Sequence, residues 1–273
     1  MLAKLFKDEM KGTSRLFLPL IAGFILITVL CKFAFETSFT IFDFNNYILQ
    51  TITVIFFTLY FIYIIALYVL TSVFIVVRFY QTMTGKQAYL THTLPIKTST
   101  LINAKLICAV LWELITGVLF ILSLVFFFLG HIHLSDIQTF IRDVGIIVKE
   151  LNQYVNIPLF TAVIFISCIL SLLSGPLMMY ACVAMGHLFR THRVLWAVVS
   201  YFIIYILIQI IATIGMFFCG YDMILWSNTA TSVSNMVHIM ERYMIFAVIL
   251  SAGFTAGCYA VTNYVFHRHL NLN

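Results

Sequence analysis

YILQTITVIFFTLYFIYIIALYVLTSVFIVV, residues 47–77, runs for thirty-one residues without one charged side chain or histidine. A helix rises 1.5 Å per residue, so about 20 apolar residues cross a hydrocarbon core of about 30 Å. This stretch is long enough to span a bilayer with tilt to spare. Working outward from it, comparable apolar runs lie near residues 16–35, 100–130, 158–188, 194–219 and 243–266. The sequence therefore predicts an all-α membrane protein with six transmembrane helices, residues 1–273 forming a single transmembrane domain. Composition agrees: 63% hydrophobic, 16% aromatic and only 9% charged residues, with a mean hydropathy of +1.07, against about a quarter charged in soluble domains.

The first run ends without a small-x-small cleavage pattern and five more follow, so it reads as a retained span rather than a secretory signal. Cys31, Cys108, Cys168, Cys182, Cys219 and Cys258 fall in or at the ends of spans, with no C-x-x-C pair. They are expected to be small buried hydrophobes.

Lysine and arginine orient the chain. With the N-terminus in the cytoplasm, the inner segments carry eleven: Lys4, Lys7, Lys11, Arg15, Arg78, Lys86, Lys97, Lys105, Arg190, Arg193 and Arg268. The outer segments carry four, Lys32, Arg142, Lys149 and Arg242. Acidic residues lean the other way, with Asp8 and Glu9 inside, seven outside, and Glu113 within a span. Both termini are assigned to the cytoplasm. The net charge of +5 reflects this asymmetry and gives no argument for nucleic acid, since no basic patch with interleaved aromatics stands in a soluble segment.

Three elements are expected outside the spans. Residues 1–14 place Leu2, Leu5, Phe6 and Met10 opposite Lys4, Lys7, Asp8 and Lys11, the pattern of an interfacial helix on the inner leaflet. In 134–156, Ile137, Phe140, Ile141, Val144, Ile147, Val148 and Leu151 recur with a helical period, which predicts an amphipathic helix on the outer surface or over the outer mouth of the bundle. Residues 219–242 are too polar for a full span and too apolar for a free loop. One or two short outer helices are expected there, anchored by Trp226.

On the cytoplasmic side, residues 79–99 form a joint longer than two spanning helices need. Residues 78–84 should prolong the second helix, Gly85 permits a turn, and residues 87–93 can make a short cross-helix. Leu94-Pro95 forces an extended residue, and Thr98–Thr100 are expected to cap the third helix. A bar held between two long helices suits docking into a groove of a soluble partner.

Several chemistries lack their residues. The one Gly-Lys pair, Gly85-Lys86, has Tyr80 where a phosphate loop needs its first glycine and Gln87 where it needs a hydroxyl. H-E-x-x-H and G-x-S-x-G are absent, and His131-x-His133 has no third ligand nearby. No catalytic, cofactor-binding or metal residues are expected. Glu113 stands out as an acidic residue deep in a span, where a charge costs roughly 2.5 to 3.5 kcal/mol on insertion scales. It is expected to face a polar pathway, to pair with a base such as Arg78, or to pack in hydrogen-bonded form. Tyr60, Tyr63 and Tyr68 place polar atoms at membrane depth, either along a substrate route or as packing groups. Gly175 and Pro176 in the fourth span form a candidate hinge, because proline removes a helix donor.

The run RFYQTMTGKQAYLTHTLPIKTSTLINAKL, residues 78–106, resembles the coupling region of type-two ABC exporter permeases of Firmicutes. There the stretch reads approximately R-F-Y-K/R-x-M/L-x-x-x-E-G/A-Y-L-x-x-T-L-P-V/I followed by L-L/I-x-A/S-K-L. Arg78, Phe79, Tyr80, Tyr89, Leu90, Thr93, Leu94, Pro95, Leu101, Lys105 and Leu106 match as they stand. Gln87 departs, standing where an acidic residue is usual, but keeps hydrogen-bonding capacity. The match covers about thirty residues; beyond it the agreement is architectural.

The resemblance implies the membrane subunit of a bacterial cell-membrane exporter with no ATPase activity of its own. It would dimerise with itself or a paralogue and dock two nucleotide-binding subunits, which hold the ATP and magnesium, through Gln87, Tyr89, Leu90, Thr93, Leu94 and Pro95. The aromatic-rich spans fit an amphipathic or hydrophobic cargo such as a peptide. A stand-alone secondary transporter or channel is one alternative, although paired broken helices are not evident. A non-transporting membrane anchor or regulator of a soluble partner is another.

Overall fold

A computed structural model of the chain describes residues 2–40, 47–85, 97–128, 134–152, 155–189, 191–225 and 233–268. Those residues form seven α-helices and no strand. They are α1 (Leu2–Thr40), α2 (Tyr47–Met83), α3 (Thr98–Phe128), α4 (Leu134–Leu151), α5 (Ile157–His187), α6 (Arg193–Leu225) and α7 (Val233–Arg268). All but α4 are long and apolar enough to cross a membrane. At 31 to 39 residues they measure about 46 to 58 Å, well beyond the hydrocarbon core. The polar flanks that sequence reading set aside as separate pieces are largely prolongations of these helices.

Two differences follow. The helix expected over 1–14 is continuous with the first span, because α1 runs unbroken from Leu2 to Thr40 through Pro19. The short outer helices expected within 219–242 are replaced at both ends: α6 continues to Leu225 and α7 begins at Val233. Once nucleated, a helix adds one hydrogen bond per residue, so polar residues beyond the bilayer need not end it. Trp226 lies outside the described residues, as do His131 and His133.

The expected single domain is built of two compact units, Met1–Ile132 and His133–Asn273. In the first, α1, α2 and α3 pack against one another. Phe24, Cys31, Tyr60, Leu67 and Phe127 form its buried core, flanked by Leu20, Ile27, Phe35, Phe56, Tyr63, Ile64 and Leu119. In the second unit, α5 packs against α6 and α7. Its core lies along the C-terminal half of α5, where Tyr180, Ala181, Cys182, Val183, Ala184 and Gly186 are buried, with Cys258, Thr262, Val265 and Phe266 of α7 also buried. Small residues let helix backbones approach where lipid offers no hydrophobic drive to associate. Gly186 is an example: a Cβ there would meet the Arg193 carbonyl oxygen at 2.6 Å and the Ala197 Cβ at 2.7 Å.

Helix α4 ends at Leu151 rather than 156. Its apolar face, Ile137, Phe140, Ile141, Val144, Ile147 and Val148, is exposed. All six cysteines are free thiols; Cys31, Cys108, Cys182 and Cys258 are buried, Cys168 is exposed and Cys219 half-buried. Helix α5 passes through Gly175 and the buried Pro176 without interruption, so the candidate hinge lies inside a continuous helix.

Candidate functional site

The joint is carried by two arms, the end of α2 and the start of α3. At the first arm, the backbone N–H groups of Thr84 and Gly85 both donate to the Tyr80 carbonyl at 2.9 Å, closing α2. A Cβ on Gly85 would lie 2.8 Å from the Gln81 carbonyl oxygen, so the turn needs a residue without one. At the second arm, the Lys97 carbonyl accepts from Thr100 N–H at 2.9 Å and from Leu101 N–H at 3.4 Å. Lys97 thus occupies the capping position expected of Thr98–Thr100. Residues 86–96 between the arms lie outside the described residues, and with them Gln87, Tyr89, Leu90, Thr93, Leu94 and Pro95.

Below the joint, one carboxylate joins three helices. Glu9 of α1 accepts a hydrogen bond from Arg78 Nε of α2 at 3.2 Å and pairs through its other oxygen with Lys105 Nζ of α3. Lys105 also donates to Thr82 Oγ1 at 2.7 Å, so the two arms are bonded to each other as well as to α1. The Lys105 side chain is only 6% exposed and that of Glu9 15%. Charges so withdrawn from water persist because they are paired and hydrogen-bonded.

The packing around this node is close. A Cβ on Gly12 would collide with the Arg78 guanidinium, so glycine is what allows Arg78 to cross α1 and reach Glu9. One turn deeper, Thr13 Oγ1 donates to the Glu9 carbonyl at 2.8 Å and accepts from Trp112 Nε1 at 2.9 Å. The Trp112 ring stacks on Phe17 at 4.2 Å, and Phe74 meets Phe17 edge-on at 5.8 Å. Phe79, Met83, Leu101, Ile102 and Ala104 are buried. Both arms therefore rise from a packed base.

The intramembrane polar residues separate into three kinds. Tyr60 is buried with its hydroxyl 2.7 Å from Ser123 Oγ. Tyr63 donates to the Leu20 carbonyl at 3.0 Å, its hydroxyl occupying the space that a Cβ on Gly23 would need. Both serve as packing groups that bind helices together. Tyr68 is 66% exposed on α2 and points away from the unit. Glu113 is half-buried on α3. The pairing with Arg78 expected for it does not form, because Arg78 is engaged by Glu9.

Sequence reading missed Glu9 as a site residue because it sits among the lysines of what looked like a solvated face. The signal was there in register. Glu9, Thr13 and Phe17 follow one another at four-residue spacing, and such residues share a helix face. Arg78 stands one residue before the joint and Lys105 six residues after it, so a carboxylate facing both was a foreseeable requirement.

Among the described residues no group of histidine, cysteine and carboxylate side chains is placed to hold a metal ion. Fold and site define a multi-pass helical membrane protein whose first three helices are locked by a buried ionic node beneath a polar joint. No protein-family model, no curated protein and no solved structure matches the chain.

Proposed function

We propose that this chain is the membrane-spanning permease subunit of an ATP-binding cassette exporter, moving an amphipathic or hydrophobic cargo with energy from a separate ATPase subunit. The observation that carries the reading is the node of Glu9, Arg78, Lys105 and Thr82. A docking bar transmits movement only if its supports resist bending, and this node fixes both supports to a third helix. The two arms and the residues between them together carry the resemblance to exporter coupling regions. The chain has no phosphate loop of its own, which accords with ATP and magnesium being held by a partner.

In this reading both termini and the joint face the cytoplasm, on the strength of the eleven-to-four bias in lysine and arginine. Closure of two ATPase subunits on ATP would push the joint and tilt α2 and α3 as one body with α1. A second copy of the chain or a paralogue completes the pathway. Affinity purification of the full-length chain from its native membrane tests this. An ATPase carrying its own phosphate loop should co-purify, and a preparation from which none can be recovered after mild solubilisation contradicts the proposal.

A further inference from the structure

Three helix ends of the second unit stand at one level. Seven residues join α6 to α7, too few to return along a helix of about 50 Å, so the two run in opposite directions. Gly215 of α6 packs against the Phe246 ring of α7. Arg193 lies 22 residues before that contact on α6 and Arg268 lies 22 residues after it on α7, so both emerge about 33 Å from it, at the same end. Gly186, at the end of α5, lies there too, against the Arg193 backbone and Ala197. The acidic residues of this unit precede α5 or lie toward the joined ends of α6 and α7, at Asp222 and Glu241. Helices α5, α6 and α7 therefore bring no carboxylate to the arginine end.

Phe246, Gly253, Gly257, Tyr264 and Arg268 recur at spacings of seven, four, seven and four residues, which places them on one face of α7. Phe246 turns that face toward α6. Yet nothing lies within 4 Å of where a Cβ on Gly253 or Gly257 would be, and Val261 and Tyr264 are exposed. Between the Gly215 contact and the arginines, α7 is thus open along its side toward α6. From Tyr264 to Gly253 this apolar strip is about 16 Å long, and one leaflet's hydrocarbon is about 15 Å deep. At its end the Arg268 guanidinium lies over the Tyr264 ring, 5.4 Å from the centroid. On α6, Trp196 stands three residues beyond Arg193 and stacks on Phe189 at 4.2 Å.

We propose that this end of the second unit binds one anionic phospholipid, its phosphate held by Arg193 and Arg268 and an acyl chain laid along Tyr264, Gly257 and Gly253. Arginines at a membrane boundary recognise anionic head groups, and aromatic rings are enriched at that level. Charge selects the occupant. A second copy docking through the same strip, about a two-fold axis along the membrane normal, would set Arg268 against Arg268. A phospholipid brings negative charge and a chain of matching length in one molecule, which neither a free phosphate nor a neutral lipid does. The inference does not depend on the exporter reading.

The test is native mass spectrometry of the purified full-length chain, titrated with phosphatidylglycerol and with phosphatidylcholine of the same acyl chains. Phosphatidylglycerol should bind about tenfold more tightly or better. Arg193→Gln with Arg268→Gln should abolish that preference, Arg268→Lys should keep most of it, and Arg142→Gln, on α4, should leave it unchanged. Gly257→Leu, which fills the strip without touching charge, should weaken phosphatidylglycerol binding severalfold. Glycerol phosphate, which has the head-group charge and no chain, should not compete. Where the doubled glutamine variant does not fold, Arg268→Gln alone carries the comparison, since that side chain is exposed at the end of α7. Equal binding of the two lipids, a preference that survives loss of the arginines, an equal loss in Arg142→Gln, unchanged binding in Gly257→Leu, or full competition by glycerol phosphate would each overturn the assignment.

Discussion

Glu9 ties the three long helices of the first unit together, because two cations, one from each of the other helices, depend on it. Removing one partner of a buried pair leaves the other uncompensated, which costs about 3 to 5 kcal/mol. Glu9→Ala should therefore lower the thermal stability of the purified protein strongly. Arg78→Ala should cost less, since that side chain is 26% exposed and can be hydrated. Gly12→Ala probes the same node from the side. Its methyl group displaces the far end of a flexible guanidinium rather than backbone, so the loss should be about 1 kcal/mol, the scale of one weakened ion pair. It should nearly vanish in an Arg78→Ala background, and a double-mutant cycle on thermal unfolding measures that coupling. At this scale the sequence was legible for Tyr60 and Tyr63, whose packing role follows from aromatic side chains with a polar tip. It was not legible for Glu9, whose partners come from helices about seventy and one hundred residues away.

At the scale of elements, hydropathy located all six spanning helices, since a long apolar run leaves the backbone no alternative inside lipid. It misjudged their ends. Residues 2–14, 219–225 and 233–242 continue neighbouring helices, because helix propagation outside the bilayer depends on local hydrogen bonding and not on apolarity. Helix α4 was legible through its periodicity, and its exposed apolar face gives the expectation physical content. Phe140→Trp should add fluorescence that brominated lipids quench, whereas Arg142→Trp, on the charged face, should add fluorescence that they quench far less. Equal quenching of the two would place α4 off the membrane surface.

For the whole molecule, the two compact units were not visible in a chain whose apolar runs look alike throughout. What divides them is which helices interlock, and that depends on small residues and bulky partners meeting at particular registers. Gly186 against Ala197 and Gly215 against the Phe246 ring are two such meetings. The joint at residues 79–99 belongs to the first unit, and its arms share one base of salt bridges and aromatic stacking. The central claim is that this joint is read by a separate ATPase. Its most direct measurement is the affinity of the full-length chain for that ATPase, compared between wild type and a Tyr89→Ala, Leu90→Ala variant of equal thermal stability. The account predicts that the variant loses most of its affinity while its melting temperature stays unchanged. Full retention of affinity by a folded variant would contradict it.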